Sequence, residues 1–218
     1  MPVVQLRGGA PVLVGAVYCL GRNYAEHARE MGAPATPVAF LKPASAVTPA
    51  GGEIPWPAEA EVIHHEVELV LLLGAGRTNL SREQADRAIA AVGVGVDLTA
   101  RDLQDAAKRS GQPWSRSKGF PGSAPVSEFV PRAEITSPWS EIDLSLAVDD
   151  ELRQQDRASS MLLDPPTVVA LLSQWFELAP SDLVFTGTPS GVGPIRPGQR
   201  VVAASHALAL AVEFRLRR

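Results

Sequence analysis

The chain has 218 residues, 45% of them hydrophobic, so it is long enough to bury a full core in a single domain, predicted as residues 1–218. Its net charge of -4 and the absence of any basic cluster argue against a nucleic-acid partner. Residues 1–4 do not resemble a signal peptide, and no apolar run approaches membrane-spanning length, so we expect no membrane partner.

The first predicted element is a short N-terminal extension or hairpin over about residues 1–14. Cys19 follows, between Tyr18 and Leu20, a setting that predicts a buried strand residue rather than a nucleophile. Because it is the single cysteine, it excludes an internal disulfide and fits a reducing compartment. We therefore expect a cytoplasmic protein.

A short helix and a long irregular segment come next. Asn23 and Glu26 have the spacing of a capping box, which predicts a helix that Gly32 can close. Residues 33–57 are rich in Pro, Ala and Gly and predict an ordered loop with short extended pieces. Such a segment could form the wall or the lid of a pocket.

Two carboxylates, Glu66 and Glu68, precede the apolar run 69–73, which predicts a buried strand. Strand side chains alternate between faces, so the two carboxylates point the same way, where they repel each other and lose hydration. A hard cation such as Mg²⁺, Mn²⁺ or Ca²⁺ would compensate both effects. The alternative is a solvated strand edge without a metal. His64 is on the same face, either as a further ligand or as a surface residue.

The next predicted elements are a helix over residues 81–91 and a strand over residues 92–96. Ser81 and Gln84 form a capping box at the start of that helix. Asp97 stands at the end of the strand and is the candidate for a third metal ligand.

Residues 98–104 predict a further helix that starts at or near Asp97, so Asp97 is alternatively a plain N-cap. On such a helix, Arg101 and Gln104 fall on the face of Asp97. A carboxylate, a guanidinium and an amide on one surface suit a small anionic ligand beside a metal.

The remaining elements are short. Residues 110–125 are irregular, residues 167–178 predict a helix, residues 183–185 predict a strand, and alternation over residues 212–217 predicts a half-exposed final strand. The apolar stripe of the helix is expected in the core and consists of Val168, Leu171, Leu172 and Trp175. Many short strands with a few helices, not alternating regularly, predict an α+β fold with mixed sheets.

Five motifs occur in order along the chain. The first two are Gly21-Arg22-Asn23-Tyr24-Ala25-Glu26-His27-Ala28 and Phe40-Leu41-Lys42-Pro43. The other three are His65-Glu66-Val67-Glu68-Leu69, Val96-Asp97-Leu98-Thr99-Ala100-Arg101-Asp102-Leu103-Gln104 and Thr186-Gly187-Thr188-Pro189-Ser190-Gly191-Val192-Gly193. From about residue 15 to about residue 202 the sequence thereby resembles the fumarylacetoacetate hydrolase family. The resemblance is to its small single-domain branch, which includes acylpyruvate and fumarylpyruvate hydrolases. It implies a mixed β-sandwich roll of the family's C-terminal-domain type with a few short helices, and a homodimer.

The resemblance also implies a site. Its Mg²⁺ or Mn²⁺, with Ca²⁺ as a substitute in crystals, is held by Glu66, Glu68 and Asp97. The implied catalytic residues are His27, Glu30 and Lys118. The implied contacts to the substrate come from Arg22, Arg101, Gln104 and Thr188.

The residues themselves are compatible with these roles. His27 and Glu30 lie three apart, hence on one helix face, where the carboxylate can orient the imidazole as a general base for water. The alternative is a solvated pair on a surface helix. The chain has only three lysines, and two of them, Lys42 and Lys118, stand at family-motif positions. Lysine rather than arginine at these two positions suggests that their ammonium groups have a function, and the alternative is that lysine stands there by chance.

The expected function is a metal-dependent hydrolase that cleaves a carbon–carbon bond in 2,4-dioxo acids, giving pyruvate and a carboxylic acid. The metal would act as a Lewis acid, and the partner would be a small keto acid. The main alternative uses the same site without water, as an oxaloacetate decarboxylase or tautomerase or a 2-hydroxymuconate-type isomerase. A further alternative is a metal-dependent binding module for dicarboxylates.

Overall fold

The computed structural model describes residues 2–30 and 36–218, without the side chains of residues 27, 28 and 30. Its strands are β1 (Val3–Gln5), β2 (Pro11–Leu13), β3 (Val17–Gly21), β4 (Val38–Lys42), β5 (Val47–Pro49), β6 (Gly52–Pro55), β7 (Ile63–His65), β8 (Val67–Leu73), β9 (Ile89–Val96), β10 (Thr99–Ala100), β11 (Ala124–Val126), β12 (Val130–Pro131), β13 (Asp143–Val148), β14 (Glu151–Arg157), β15 (Leu183–Phe185), β16 (Gly193–Ile195), β17 (Arg200–Ser205) and β18 (Leu210–Arg217). Its α-helices are α1 (Ala25–Glu30), α2 (Arg82–Ala88), α3 (Arg101–Ser110), α4 (Ser115–Lys118) and α5 (Pro165–Trp175).

Two sheets form most of the molecule. The larger has the strand order β4-β3-β15-β8-β9-β11-β5, with β12 also paired to β9, and the smaller has the order β14-β13-β17-β18-β6. Most neighbours are antiparallel, but β3 with β15, β5 with β11 and β6 with β18 are parallel. A three-stranded sheet, β10-β7-β16, and the β1-β2 hairpin complete the fold. The α+β fold with mixed sheets is confirmed.

The larger sheet is buried on both faces around β8. Strand side chains alternate between faces, so Leu69, Leu71 and Leu73 join the core cluster shared with β13, β17 and β18, whereas Val70 and Leu72 join a second cluster that includes the N-terminal hairpin. The predicted buried strand is therefore confirmed, and the sheet lies between two apolar layers.

The other predicted elements have mixed outcomes. The alternation in β18 and the strand at β15 are confirmed, and so is the burial of Cys19, which raises the pKa of its thiol. The Ser81–Gln84 capping box is also present. However, α2 ends at Ala88, because Ile89 already pairs with Leu73 of β8.

Two predictions from side-chain spacing are wrong. Trp175 was expected in the core but is 49% exposed, because it is the last residue of α5 and the buried stripe runs instead through Val168, Val169 and Leu172. Asn23 was expected to cap α1. Its amide instead bonds the backbone of Leu163 and Thr186, which ties two distant segments together. The predicted helix end, Gly32, lies outside the described residues.

No helix in the described part of the chain combines the length and the apolar content needed to cross a membrane.

Candidate metal centre and active site

The three predicted carboxylates meet where β8 and β9 end side by side. Val67 pairs with Val96, and the Asp97 N–H donates to the Glu66 carbonyl at 2.8 Å, so the pairing of the two strands brings the ligands together. One oxygen from each of Glu66, Glu68 and Asp97 lies within 4.8 Å of the other two. The three residues are only 7%, 2% and 0% exposed, so the cluster is shielded from solvent.

Asp97 does not begin a helix as predicted. Thr99 and Ala100 form β10, which pairs with His64 and Ile63 of β7, and α3 begins only at Arg101. The pairing of β10 with β7 keeps this segment extended, so Asp97 is not the N-cap that local spacing suggested. Its carboxylate faces the site instead.

Burial sets the electrostatics of Glu68. Loss of hydration and then the nearby Asp97 and Glu66 raise the pKa of the Glu68 carboxyl well above its usual value. The Gly187 N–H donates to Glu68 Oε2 at 2.6 Å, and this hydrogen bond lowers the pKa of Glu68 and so opposes the effect of burial. A buried carboxyl in this environment favours a bound cation.

Two buried lysines face Asp97. Lys118 Nζ donates to Asp97 at 2.5 Å, to Glu66 at 2.9 Å and to the Thr99 hydroxyl at 2.6 Å. Burial opposes its charge, but Asp97 and Glu66 outweigh burial and raise the pKa of Lys118 to about 12. Lys42 Nζ lies 2.8 Å from Asp97 Oδ1 and bonds the Ser123 carbonyl at 3.0 Å. Lys118 therefore supplies permanent positive charge at neutral pH.

Arg101 and Gln104 converge on the same cluster, as predicted, although from the first turn of α3. The Arg101 guanidinium pairs with Glu66 and donates to Gln104 Oε1 at 2.5 Å. Its Nε lies 3.3 Å from His64 Nδ1. Burial and the adjacent Arg101 lower the pKa of His64 to about 4, so His64 is a neutral partner of Arg101 at neutral pH.

The three carboxylates line a cavity of about 170 Å³ together with Arg101, Gln104 and Lys118. Its lining consists of Gly21, Arg22, Val38, Phe40, Glu66, Glu68, Asp97, Arg101, Gln104, Lys108, Trp114, Lys118 and Thr188. Val38 and Phe40 belong to the segment that was expected to form a pocket wall. Arg22 reaches the cavity from a left-handed backbone position with φ of 65°. Every predicted metal and substrate contact thus reaches one cavity.

Thr188 is held by the buried Gln154 of β14, which was not among the predicted site residues. The Gln154 amide nitrogen donates to Thr188 Oγ1 and to the Pro189 carbonyl, each at 2.9 Å. Its oxygen accepts from the Val67 N–H at 3.1 Å and lies 2.9 Å from His65 Nδ1. Because Gln154 donates to Thr188 Oγ1, the Thr188 hydroxyl proton can point into the cavity.

The backbone conformation and the close neighbours of residue 187 explain why it is a glycine. Its φ is +98°, and a Cβ there would lie 3.0 Å from the Leu20 carbonyl and 2.8 Å from the Asn23 Cβ. Glycine alone allows this close approach, which brings the Gly187 N–H to Glu68.

The predicted catalytic pair is not described in full. His27 and Glu30 belong to α1 (Ala25–Glu30). Their side chains lie outside the described part of the structure. Their pairing therefore stays a prediction.

Residues 16–214 match the family described as "Fumarylacetoacetate (FAA) hydrolase C-terminal". The chain belongs to this family. Membership in the fumarylacetoacetate hydrolase family accords with the mixed sheets described above.

Relatives in this family span nearly the whole chain. The mitochondrial oxaloacetate tautomerase FAHD1 of Bos taurus is 40% identical over 204 residues, covering 93% of this chain and 91% of the relative. The oxaloacetate tautomerase YcgM of Escherichia coli K12 is 42% identical over 190 residues, covering 86% and 87%. The crystal structure of fumarylpyruvate hydrolase from Pseudomonas aeruginosa, in complex with Mn²⁺ and pyruvate, superposes with a TM-score of 0.94 at 37% identity, covering 99% and 95%.

The residues present fit a divalent ion. The three clustered carboxylates offer the oxygen ligands that Mg²⁺ and Mn²⁺ prefer. Within the described part of the chain, the buried Asp97 Oδ1 accepts no hydrogen bond, although Lys42 Nζ is close enough for an ion pair. Lys42 and Lys118 hold the Asp97 carboxylate where a divalent ion would bind it beside Glu66 and Glu68.

Proposed function

We propose that this protein is a divalent-metal-dependent enzyme that interconverts the keto and enol forms of a 2-oxo acid of the oxaloacetate type. The observation that carries the proposal is the buried triad of Glu66, Glu68 and Asp97, which shares one cavity with Lys118 and Arg101. The two oxaloacetate tautomerases at 40% and 42% identity support this choice of reaction.

The proposed chemistry moves one proton from the carbon next to the 2-oxo group to the 2-oxo oxygen. When bound, Mg²⁺ or Mn²⁺ would supply Lewis-acid charge that favours the enolate. The Lys118 ammonium adds fixed positive charge beside the developing negative charge, which lowers the barrier without reorganisation. The N–H groups of Arg101 and Gln104 suit the substrate carboxylate. His27 is the proposed base, oriented by Glu30.

The test follows the ultraviolet absorbance of the oxaloacetate enol, with Mn²⁺ and after chelation. We expect exchange that chelation abolishes and that Glu68→Gln slows by at least about a hundredfold. Glu134→Gln, which changes an exposed glutamate away from the cavity, is the matched control and should leave the rate unchanged. A rate that survives both chelation and Glu68→Gln would refute the proposal.

A second candidate is the hydrolase expected from the sequence. It is favoured by the Pseudomonas fumarylpyruvate hydrolase, solved with Mn²⁺ and pyruvate, at a TM-score of 0.94. In this reaction a water, deprotonated by His27, adds to the distal carbonyl of a 2,4-dioxo acid. The carbon–carbon bond then breaks, and pyruvate leaves as its enolate and takes up a proton.

Pyruvate release from acylpyruvates, fumarylpyruvate and oxaloacetate separates the candidates. Hydrolysis requires release from acylpyruvates or fumarylpyruvate that His27→Ala abolishes, whereas pyruvate from oxaloacetate in the same variant would indicate decarboxylation. Tight binding of a dicarboxylate with metal but without turnover over hours would favour a binding module instead.

A further inference from the structure

Lys108 of α3 is a cationic residue of the cavity lining to which the proposed mechanism gives no role. Arg101, Gln104 and Lys108 are spaced three and four residues apart, so they share one face of the helix. Lys108 lies roughly 6 Å further along the helix axis than Gln104, at a rise of about 1.5 Å per residue. Arg101 pairs with Glu66 of the triad, so Lys108 lies at the opposite end of this row, where its side chain is 32% exposed against 12% for Arg101.

An aromatic ring and one carboxylate lie next to the Lys108 ammonium. It lies 5.5 Å from the centroid of the Trp114 ring, which in turn packs against Phe40 at 5.8 Å. Its one ion pair among the described residues, with Asp105, is long at 3.6 Å, and its side chain is 32% exposed. A charge supported by an aromatic face and only loosely paired can bind an incoming anion.

The net positive charge of the cavity lining favours binding of an anion. Among lining residues whose side chains are described, three are acidic and four are basic, namely Glu66, Glu68, Asp97, Arg22, Arg101, Lys108 and Lys118. A divalent ion would raise the excess from one positive charge to three. A substrate with a single carboxylate would leave a net charge of two positive units in the cavity, whereas a dicarboxylate would leave one.

We propose that Lys108, backed by Trp114, binds the distal carboxylate of the substrate and so selects 2-oxo dicarboxylates over 2-oxo acids with an uncharged tail. This inference rests on the proposed function, which places the enolate oxygen at the metal triad and one substrate carboxylate on Arg101 and Gln104. Lys108 is thereby a specificity-determining residue at the far end of the cavity.

The experiment measures binding by calorimetry to the Mn²⁺-loaded protein. The probes are oxaloacetate and 2-oxobutyrate, which share a four-carbon chain and differ in the terminal carboxylate. Lys108→Met should weaken oxaloacetate binding about tenfold and leave 2-oxobutyrate unchanged, because it removes one charged hydrogen bond. Lys108→Arg should restore most of the difference. Arg109→Met, which removes the same charge from the next residue, should change neither affinity.

The two failures are distinguishable. If Lys108→Met leaves the ratio of the two affinities as in the wild type, or if Arg109→Met lowers that ratio equally, the assignment of Lys108 is overturned and the proposed function stands. If the wild type binds Mn²⁺ but neither acid, the proposed function fails and the Lys108 assignment fails with it. Lys108→Gln, checked by its melting temperature, repeats the test if the methionine variant folds poorly.

Discussion

Gln154→Leu is a substitution whose cost can be worked out from the structure. The Gln154 side chain bonds the Val67 N–H at 3.1 Å and the Pro189 carbonyl at 2.9 Å, and both backbone groups are buried. Leucine fills a similar space but offers no polar partner. Each unpaired buried group costs about 1–3 kcal/mol, so we expect the free energy of unfolding to fall by roughly 2–6 kcal/mol for the two groups.

The assay is equilibrium unfolding in urea followed by circular dichroism, with the slope checked for constancy. The matched control is Gln155→Leu, which changes the exposed neighbour on the same strand and should stay within about 0.5 kcal/mol of the wild type. A Gln154→Leu variant as stable as this control would refute the assigned hydrogen-bond network.

Gln154→Glu separates stability from activity at the same position. The new carboxylate keeps an oxygen for the Val67 N–H but removes the donor to Thr188 Oγ1. The Thr188 hydroxyl would then donate to that carboxylate instead of pointing into the cavity. We expect kcat/KM to fall about tenfold, measured on oxaloacetate, the substrate of the proposed reaction. Unchanged kcat/KM would contradict a role for Thr188 in the cavity.

Three further outcomes are expected. Burial opposes ionisation of Asp164, but hydrogen bonds from Arg82 and Thr167 outweigh it and hold its pKa below the usual 3.8. Its N-cap contribution is therefore present above pH 3.8 and lost as the pH falls through the lower folded pKa, so Asp164→Ala should cost about 1 kcal/mol at neutral pH and progressively less as the pH is lowered, by urea unfolding at a series of pH values. Gly187→Ala should displace the N–H that bonds Glu68 and weaken Mn²⁺ binding in calorimetry; an unchanged affinity would contradict that bond's role. The homodimer implied by the family stays a prediction, and a molar mass in solution equal to one chain would show it to be wrong.

Local patterns predicted much of the fold because their causes are local. The capping box at Ser81 and the alternation of β18 depend only on neighbours in the chain, and both are present. The cluster of three carboxylates was predictable for a related reason. Glu66, Glu68 and Asp97 stand at strand ends, and adjacent strand ends bring such residues together.

The errors arise where distant segments pair. The extended conformation after Asp97 depends on the pairing of β10 with β7, and the role of Asn23 depends on Leu163, 140 residues away. Gln154 meets His65 across 89 residues, so no local spacing could identify it. Lys108 is different, because its position four residues after Gln104 was a usable signal for the same helix face.

Calorimetric titration of the metal-free protein with Mn²⁺ tests the central claim most directly. We expect one Mn²⁺ per chain in the wild type and in Glu134→Gln, and a large loss of affinity in Glu68→Gln, which keeps the shape of a ligand but removes its charge. Equal Mn²⁺ affinity in Glu68→Gln and the wild type, or no binding to the wild type, would contradict it.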